Sequence, residues 1–91
     1  MHIWVFSGEG AIFPSGVFSS RDRAEAWISG HSLSGTLTAY PLDSGIYEWA
    51  IAHGTYDANK EVSPRLIGRF SSAYQEHYHY VDGILEKVPN H

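Results

Sequence analysis

Residues 76–80 read Glu76-His77-Tyr78-His79-Tyr80, and this strict alternation constrains the chain more than any other stretch. Side chains on a strand alternate between faces with period two. Glu76, Tyr78 and Tyr80 therefore share one face, and His77 and His79 share the other. The alternation sits in a longer stretch, 68–83, read as two strands and a turn. It closes on Asp82-Gly83, a strong hairpin signal that returns the chain through Ile84-Leu85-Glu86. A functional reading has to account for two imidazoles side by side on one face of a sheet.

The rest of the chain supplies partners for such a sheet. Ile3-Trp4-Val5-Phe6 is a continuous apolar run of high β-propensity and reads as a buried strand over 2–7. Ser7-Gly8-Glu9-Gly10 reads as a turn, after which Ala11-Ile12-Phe13 is expected to resume pairing until Pro14 breaks it. Val17-Phe18 leads into a helix capped by Ser19 or Ser20, with Asp22 three after Ser19 as a capping-box variant. Ala24, Trp27 and Ile28 form its buried stripe, and Gly30 is its expected stop. Thr36 to Tyr40 alternates as a strand, ended or left at an edge by Pro41. Asp43 or Ser44 is expected to cap a second helix, with Ile46, Trp49 and Ala50 facing inward, widened by Tyr47 and Ile51, and Gly54 closing it. Residues 57–64 carry no period and read as the most mobile loop. Leu66 to Phe70 reads as a strand, with the region 74–81 as its neighbour.

The element order gives a single α+β domain over residues 1–91: a mainly antiparallel sheet of about five strands with two helices packed on one face. At 91 residues there is little room for a second domain, and 43% hydrophobic residues, including thirteen aromatics, supply a core. The absence of cysteine excludes disulfides, thiolate metal sites and cysteine nucleophiles. The N-terminal stretch lacks the basic start and long apolar core of a secretion signal. No run approaches the roughly 20 apolar residues of a membrane span. A soluble, cytoplasmic protein without a membrane partner is the expectation.

Ten acids against six bases give a net charge of −4. That balance disfavours a nucleic-acid partner, whose phosphates demand a basic footprint, and favours a basic protein. Of the acids Asp43, Glu48, Asp57, Glu61, Glu76, Asp82 and Glu86, several fall in loops or helix ends and read as solvent decoration or caps. If the fold clusters them, they steer a basic partner.

The remaining constellations are weighed against plainer readings. His77 and His79 at i, i+2 on a strand can chelate one divalent metal, with His53, His2 or Glu76 as further ligands. The plainer reading is a pair of hydrogen-bonded surface histidines. No tight four-ligand motif is present, and no serine, lysine or carboxylate is placed by a local motif to complete a mechanism. Ser7-Gly8-Glu9-Gly10 lacks the spaced glycines and following helix of a phosphate-binding loop and reads as a hairpin turn. The tyrosines 47, 56, 74, 78 and 80 suit a binding surface or a core. They lack the interleaved bases of a nucleic-acid platform.

The strings Leu33-Ser34-Gly35-Thr36-Leu37-Thr38-Ala39-Tyr40-Pro41-Leu42-Asp43, Tyr47-Glu48-Trp49-Ala50-Ile51 and Phe70 through Tyr80 resemble a widespread small bacterial domain of unknown function, over most of the chain. The entry into the first helix, Gly16 through Ile28, resembles that of several small bacterial α+β domains. In type the chain is similar to immunity proteins of contact-dependent and other polymorphic toxin systems. The resemblance assigns no role to any residue. The leading expectation is a non-enzymatic, cofactor-free immunity protein that binds a cognate basic toxin domain through Asp57, Glu61, Glu76, Tyr78, Tyr80 and Asp82. It would be a monomer or a weak homodimer. The alternative is a histidine-dependent metal protein or small hydrolase using His77, His79 and His53.

Overall fold

The structure, a computed structural model, describes residues 1–56 and 62–86. Asp57 and Glu61, two of the expected partner-binding residues, lie outside the described residues, as does most of the expected mobile loop. In chain order the elements are β1 (His2–Gly8), β2 (Gly16–Phe18), α1 (Arg21–Gly30), β3 (Gly35–Pro41), α2 (Ile46–Ala52), α3 (Pro64–Arg69), β4 (His77–Val81) and β5 (Ile84–Leu85). The strands form one antiparallel sheet in the order β2-β1-β3-β4-β5, an α+β arrangement with three helices. Among the described residues no helix is long and apolar enough to cross a membrane.

Register decides which side chains meet. Phe6 pairs with Leu37, and Leu37 with Tyr78. Trp4 pairs with both Phe18 and Ala39, and Gly35 with Tyr80. All of these residues therefore share one face. Helix α1 packs there, placing Ala24 and Ile28 against Phe6, Leu37 and Tyr80, with Trp4, Phe18, Trp27, Leu33 and Tyr78 around them. Phe6, Ile28 and Leu37 are the largest fully buried side chains. Each contributes roughly 1.5–3 kcal/mol by leaving water. The opposite face carries Val17, His77, His79, Val81 and Ile84, and all five are exposed.

The β4–β5 hairpin follows from its sequence. Asp82 and Gly83 both have positive φ, 52° and 83°, as a type I′ turn demands. A Cβ on Gly83 would stand 3.0 Å from Ser32 Cα and 3.2 Å from the Ile28 carbonyl. The turn is thus seated on the end of α1, and the Gly83 amide donates to the Leu33 carbonyl at 2.8 Å.

Several expectations are corrected. Residues 66–69 are helical, within α3, and Phe70 is its extended C-cap. Ser63 caps the start of the helix, its hydroxyl accepting from the Leu66 amide at 3.1 Å, and Pro64 occupies the first turn. Five residues with only Leu66, Ile67 and Phe70 apolar fit either period, and the Ser-Pro pair before them tips the balance to helix. The long stretch 68–83 accordingly holds one strand before its turn. Ala11 to Phe13 forms no strand. Ile12 and Phe13 are 88% and 77% exposed, and pairing with β1 resumes only past Pro14, at Gly16. Helix α1 is capped by Ser20, which accepts from the Arg23 amide, so Asp22 supplies favourable first-turn charge and no capping box forms. The helix also runs through Gly30, and the left-handed residue is Ser32, φ 53°. The N-cap of α2 is Gly45, with no side-chain bond. Asp43 sits at φ 60° and the Ser44 hydroxyl donates to the Gly45 carbonyl. Both expected caps lie too early, because the turn after Pro41 uses them.

Candidate functional site

Strand β4 sends its two sets of side chains to different environments. Tyr78 and Tyr80 turn toward α1. Tyr80 is 4% exposed, and its hydroxyl donates to Glu25 Oε2 at 2.5 Å. Glu25 also lies one helical turn from Arg21, whose Nε is 3.4 Å from the same oxygen. The Arg21 guanidinium carbon sits 3.7 Å from the centroid of the Tyr78 ring, a cation–π contact. The Tyr78 hydroxyl in turn donates to the Glu76 carboxylate. Glu76, Tyr78, Arg21, Glu25 and Tyr80 thus form one chain of contacts that ties β4 to α1.

The electrostatics follow. Burial, and then the bond to Glu25, push the Tyr80 hydroxyl up to about 12. The bond to Glu76 is the main reason that Tyr78 is raised, with burial adding to it. Burial works against the Arg21 charge, but Glu25 and the two tyrosines outweigh it and hold the guanidinium above its ordinary range. Tyr80, expected among the surface anchors, is a core residue whose polar end is already partnered. Tyr78 is half-buried, and Glu76 remains exposed with one oxygen engaged. Asp82 serves the hairpin, its amide donating to the Ser34 hydroxyl at 3.0 Å, while the residue stays exposed.

The odd-numbered set faces the other way. The rings of His77 and His79 stand 5.3 Å apart and nearly perpendicular, at 88°. His77 Nδ1 donates to the Gln75 carbonyl at 2.7 Å. His79 Nδ1 lies 3.2 Å from the Thr36 hydroxyl, on the neighbouring strand and directly opposite in register. His53, the expected third histidine, is committed to its own helix. It stacks on Trp49 at 4.5 Å and donates Nδ1–H to the Trp49 carbonyl at 2.8 Å. Among the described residues no group of three or more His, Asp or Glu side chains is placed to hold a metal ion.

Charge is segregated by element. The described arginines, Arg21, Arg23, Arg65 and Arg69, all lie on α1 or α3. The five strands, the β1–β2 and β4–β5 connections and the residues flanking β4 and β5 carry Glu9, Glu76, Asp82 and Glu86 and no lysine or arginine among the described residues. A cleft of about 430 Å³ on this side is bounded by Glu9 and Glu86, with Ser7, Thr36, His79 and Tyr80 in its lining. A second cleft, about 520 Å³, lies along α3 and is lined by Arg65 and Arg69. Glu9, Arg21, Glu25 and Thr36 were absent from the sequence-derived site. Glu9 was visible as the acid of a Gly-Glu-Gly turn. The others acquire their roles only through cross-element packing.

The model of a family described as a domain of unknown function, DUF7710, matches residues 3–86. No curated protein matches the chain, and no solved structure does.

Proposed function

The chain belongs to the DUF7710 family, and from that premise we propose that it is a binding protein that performs no chemistry and docks a basic protein domain on its sheet side. Its most concrete form is an immunity protein, acting in the cytoplasm to cover a basic toxin domain such as a nuclease. The observation that carries this reading is the charge segregation. The strands and their turns bear acids and no described lysine or arginine, while the described arginines sit on α1 and α3, those of α1 beside Asp22 and Glu25.

Physical chemistry favours that side for docking. Val81 and Ile84, cross-strand partners on β4 and β5, offer exposed apolar area at 48% and 71%, and Val17 adds a separate 63%-exposed side chain at the opposite edge of the sheet. Glu9, Asp82 and Glu86 stand in the adjoining turns and strand end. An apolar centre with a charged rim is the usual anatomy of a specific interface, and rim charge raises the rate of encounter with an oppositely charged partner. Glu76 precedes β4, and its carboxylate accepts from the Tyr78 hydroxyl on the α1 side, so it stands outside this patch, whose support Tyr78 and Tyr80 shape from the other face.

The test is to mix the purified protein with the basic protein encoded by the neighbouring reading frame and resolve the mixture by size-exclusion chromatography. A one-to-one complex that weakens as salt rises is expected. No complex at low ionic strength overturns the reading.

A further inference from the structure

We propose that His77 and His79 form a two-imidazole chelate for a single divalent transition ion of the zinc type, on the exposed face of β4. The inference does not depend on the docking proposal. It rests on three observations about the pair.

The first is separation. A zinc-bound imidazole nitrogen lies about 2 Å from the ion, which puts the ring centroid about 3.2 Å from it; two such rings at a tetrahedral angle of about 109° have centroids about 5.2 Å apart. The His77 and His79 centroids are 5.3 Å apart. The second is orientation. Each ring engages a neighbour through Nδ1, His77 with the Gln75 carbonyl and His79 with the Thr36 hydroxyl. A carbonyl only accepts, so His77 carries its proton on Nδ1, and its neutral form keeps a lone pair on Nε2. Pinning one ring nitrogen while freeing the other is how proteins prepare histidines as ligands. The third is access. Both residues are exposed, on the face opposite α1.

The donor set defines the ligand class. Two neutral imidazoles suit zinc, copper or nickel and offer little to magnesium or calcium, which require oxygen. No third protein ligand is placed nearby among the described residues. Water, or a donor from a docked molecule, would complete the shell. A two-ligand site of this kind binds weakly compared with a four-ligand structural zinc site.

Zinc titration by calorimetry tests the proposal on the full chain, with circular dichroism confirming that each variant is folded. The wild type should take up one zinc at this site. His77→Ala and His79→Ala should each weaken it by about tenfold or more, and His53→Ala by less than about twofold. Thr36→Val keeps both ligands and removes only the hydroxyl, so it should give an intermediate loss, which a nonspecific surface effect would not produce. Ring nitrogen NMR should show zinc perturbing Nε2 of both residues together. Unchanged zinc affinity in both His77→Ala and His79→Ala, or an equal loss in His53→Ala, overturns it.

Discussion

The Tyr80 hydroxyl donates to Glu25 Oε2 at 2.5 Å, joining β4 to α1 across 55 positions of sequence. Tyr80 is a core residue, so this bond fixes the hairpin-bearing half of the sheet to the helix beneath it. Hydrogen bonds to charged groups are worth about 1.5–3 kcal/mol, and partial exposure of Glu25 reduces that. Tyr80→Phe should therefore lower stability by about 1–2 kcal/mol in urea denaturation. Glu25→Gln, which keeps an acceptor, should cost less. A Tyr80→Phe protein as stable as wild type would show that the bond contributes nothing net.

The same hydroxyl gives the protein an alkaline limit. Burial first, and Glu25 second, push Tyr80 up to about 12, against about 10 for an unfolded tyrosine. A raised acid group contributes stability that is complete below the unfolded value and is lost as pH climbs through the folded one. Stability should thus fall between pH 10 and 12, by about 2–3 kcal/mol from this residue. Tyr78, also raised, adds to the fall. Tyr80→Phe should flatten this alkaline limb without abolishing it. An identical limb in the variant, followed by fluorescence-detected urea melts, contradicts the assignment.

Two glycines with similar backbones separate strain from crowding. Gly10 and Gly83 have φ of 75° and 83°. A Cβ at Gly10 meets nothing within 4 Å, whereas at Gly83 it meets the backbone of Ser32 and Ile28. Gly10→Ala should cost about 1 kcal/mol, the left-handed penalty alone. Gly83→Ala should cost more, about 2–4 kcal/mol, because the hairpin must lift off the end of α1. Equal melting temperatures for the two variants would contradict that seating.

The helix entries are not equivalent. Ser20 Oγ accepts from the Arg23 amide at 3.2 Å, while Ser44 only donates to the next carbonyl. Ser20→Ala should cost about 1 kcal/mol and Ser44→Ala should be near neutral, as measured by chemical denaturation. The reverse ranking would mean that α2 starts earlier than Gly45.

These comparisons also mark what the sequence disclosed. The Glu76-to-Tyr80 alternation correctly divided β4 into two faces, since period two needs only local information. The Asp82-Gly83 turn and the Ala24–Ile28 face of α1 were legible for the same reason. Helix α3 was not, because Leu66 to Phe70 is too short for its apolar pattern to distinguish 3.6 from 2. Nothing local revealed that Glu25 would partner Tyr80, or that Thr36 would lie opposite His79. Such pairs are set by strand order and helix docking. Tyr80 was expected on the binding surface, and packing against α1 places it in the core.

On the proposed reading a basic partner docks on the acidic sheet side and not on the helices. The most direct test is calorimetry of three proteins against the basic product of the neighbouring reading frame: wild type, Glu9→Lys/Glu86→Lys, and Asp22→Lys/Glu48→Lys. The two variants change net charge equally and differ only in where. At least about tenfold weaker binding is expected for the sheet-side pair, and less than about threefold for the pair on the helices, at physiological salt. Equal losses in the two variants, or a larger loss from the pair on the helices, would contradict the reading.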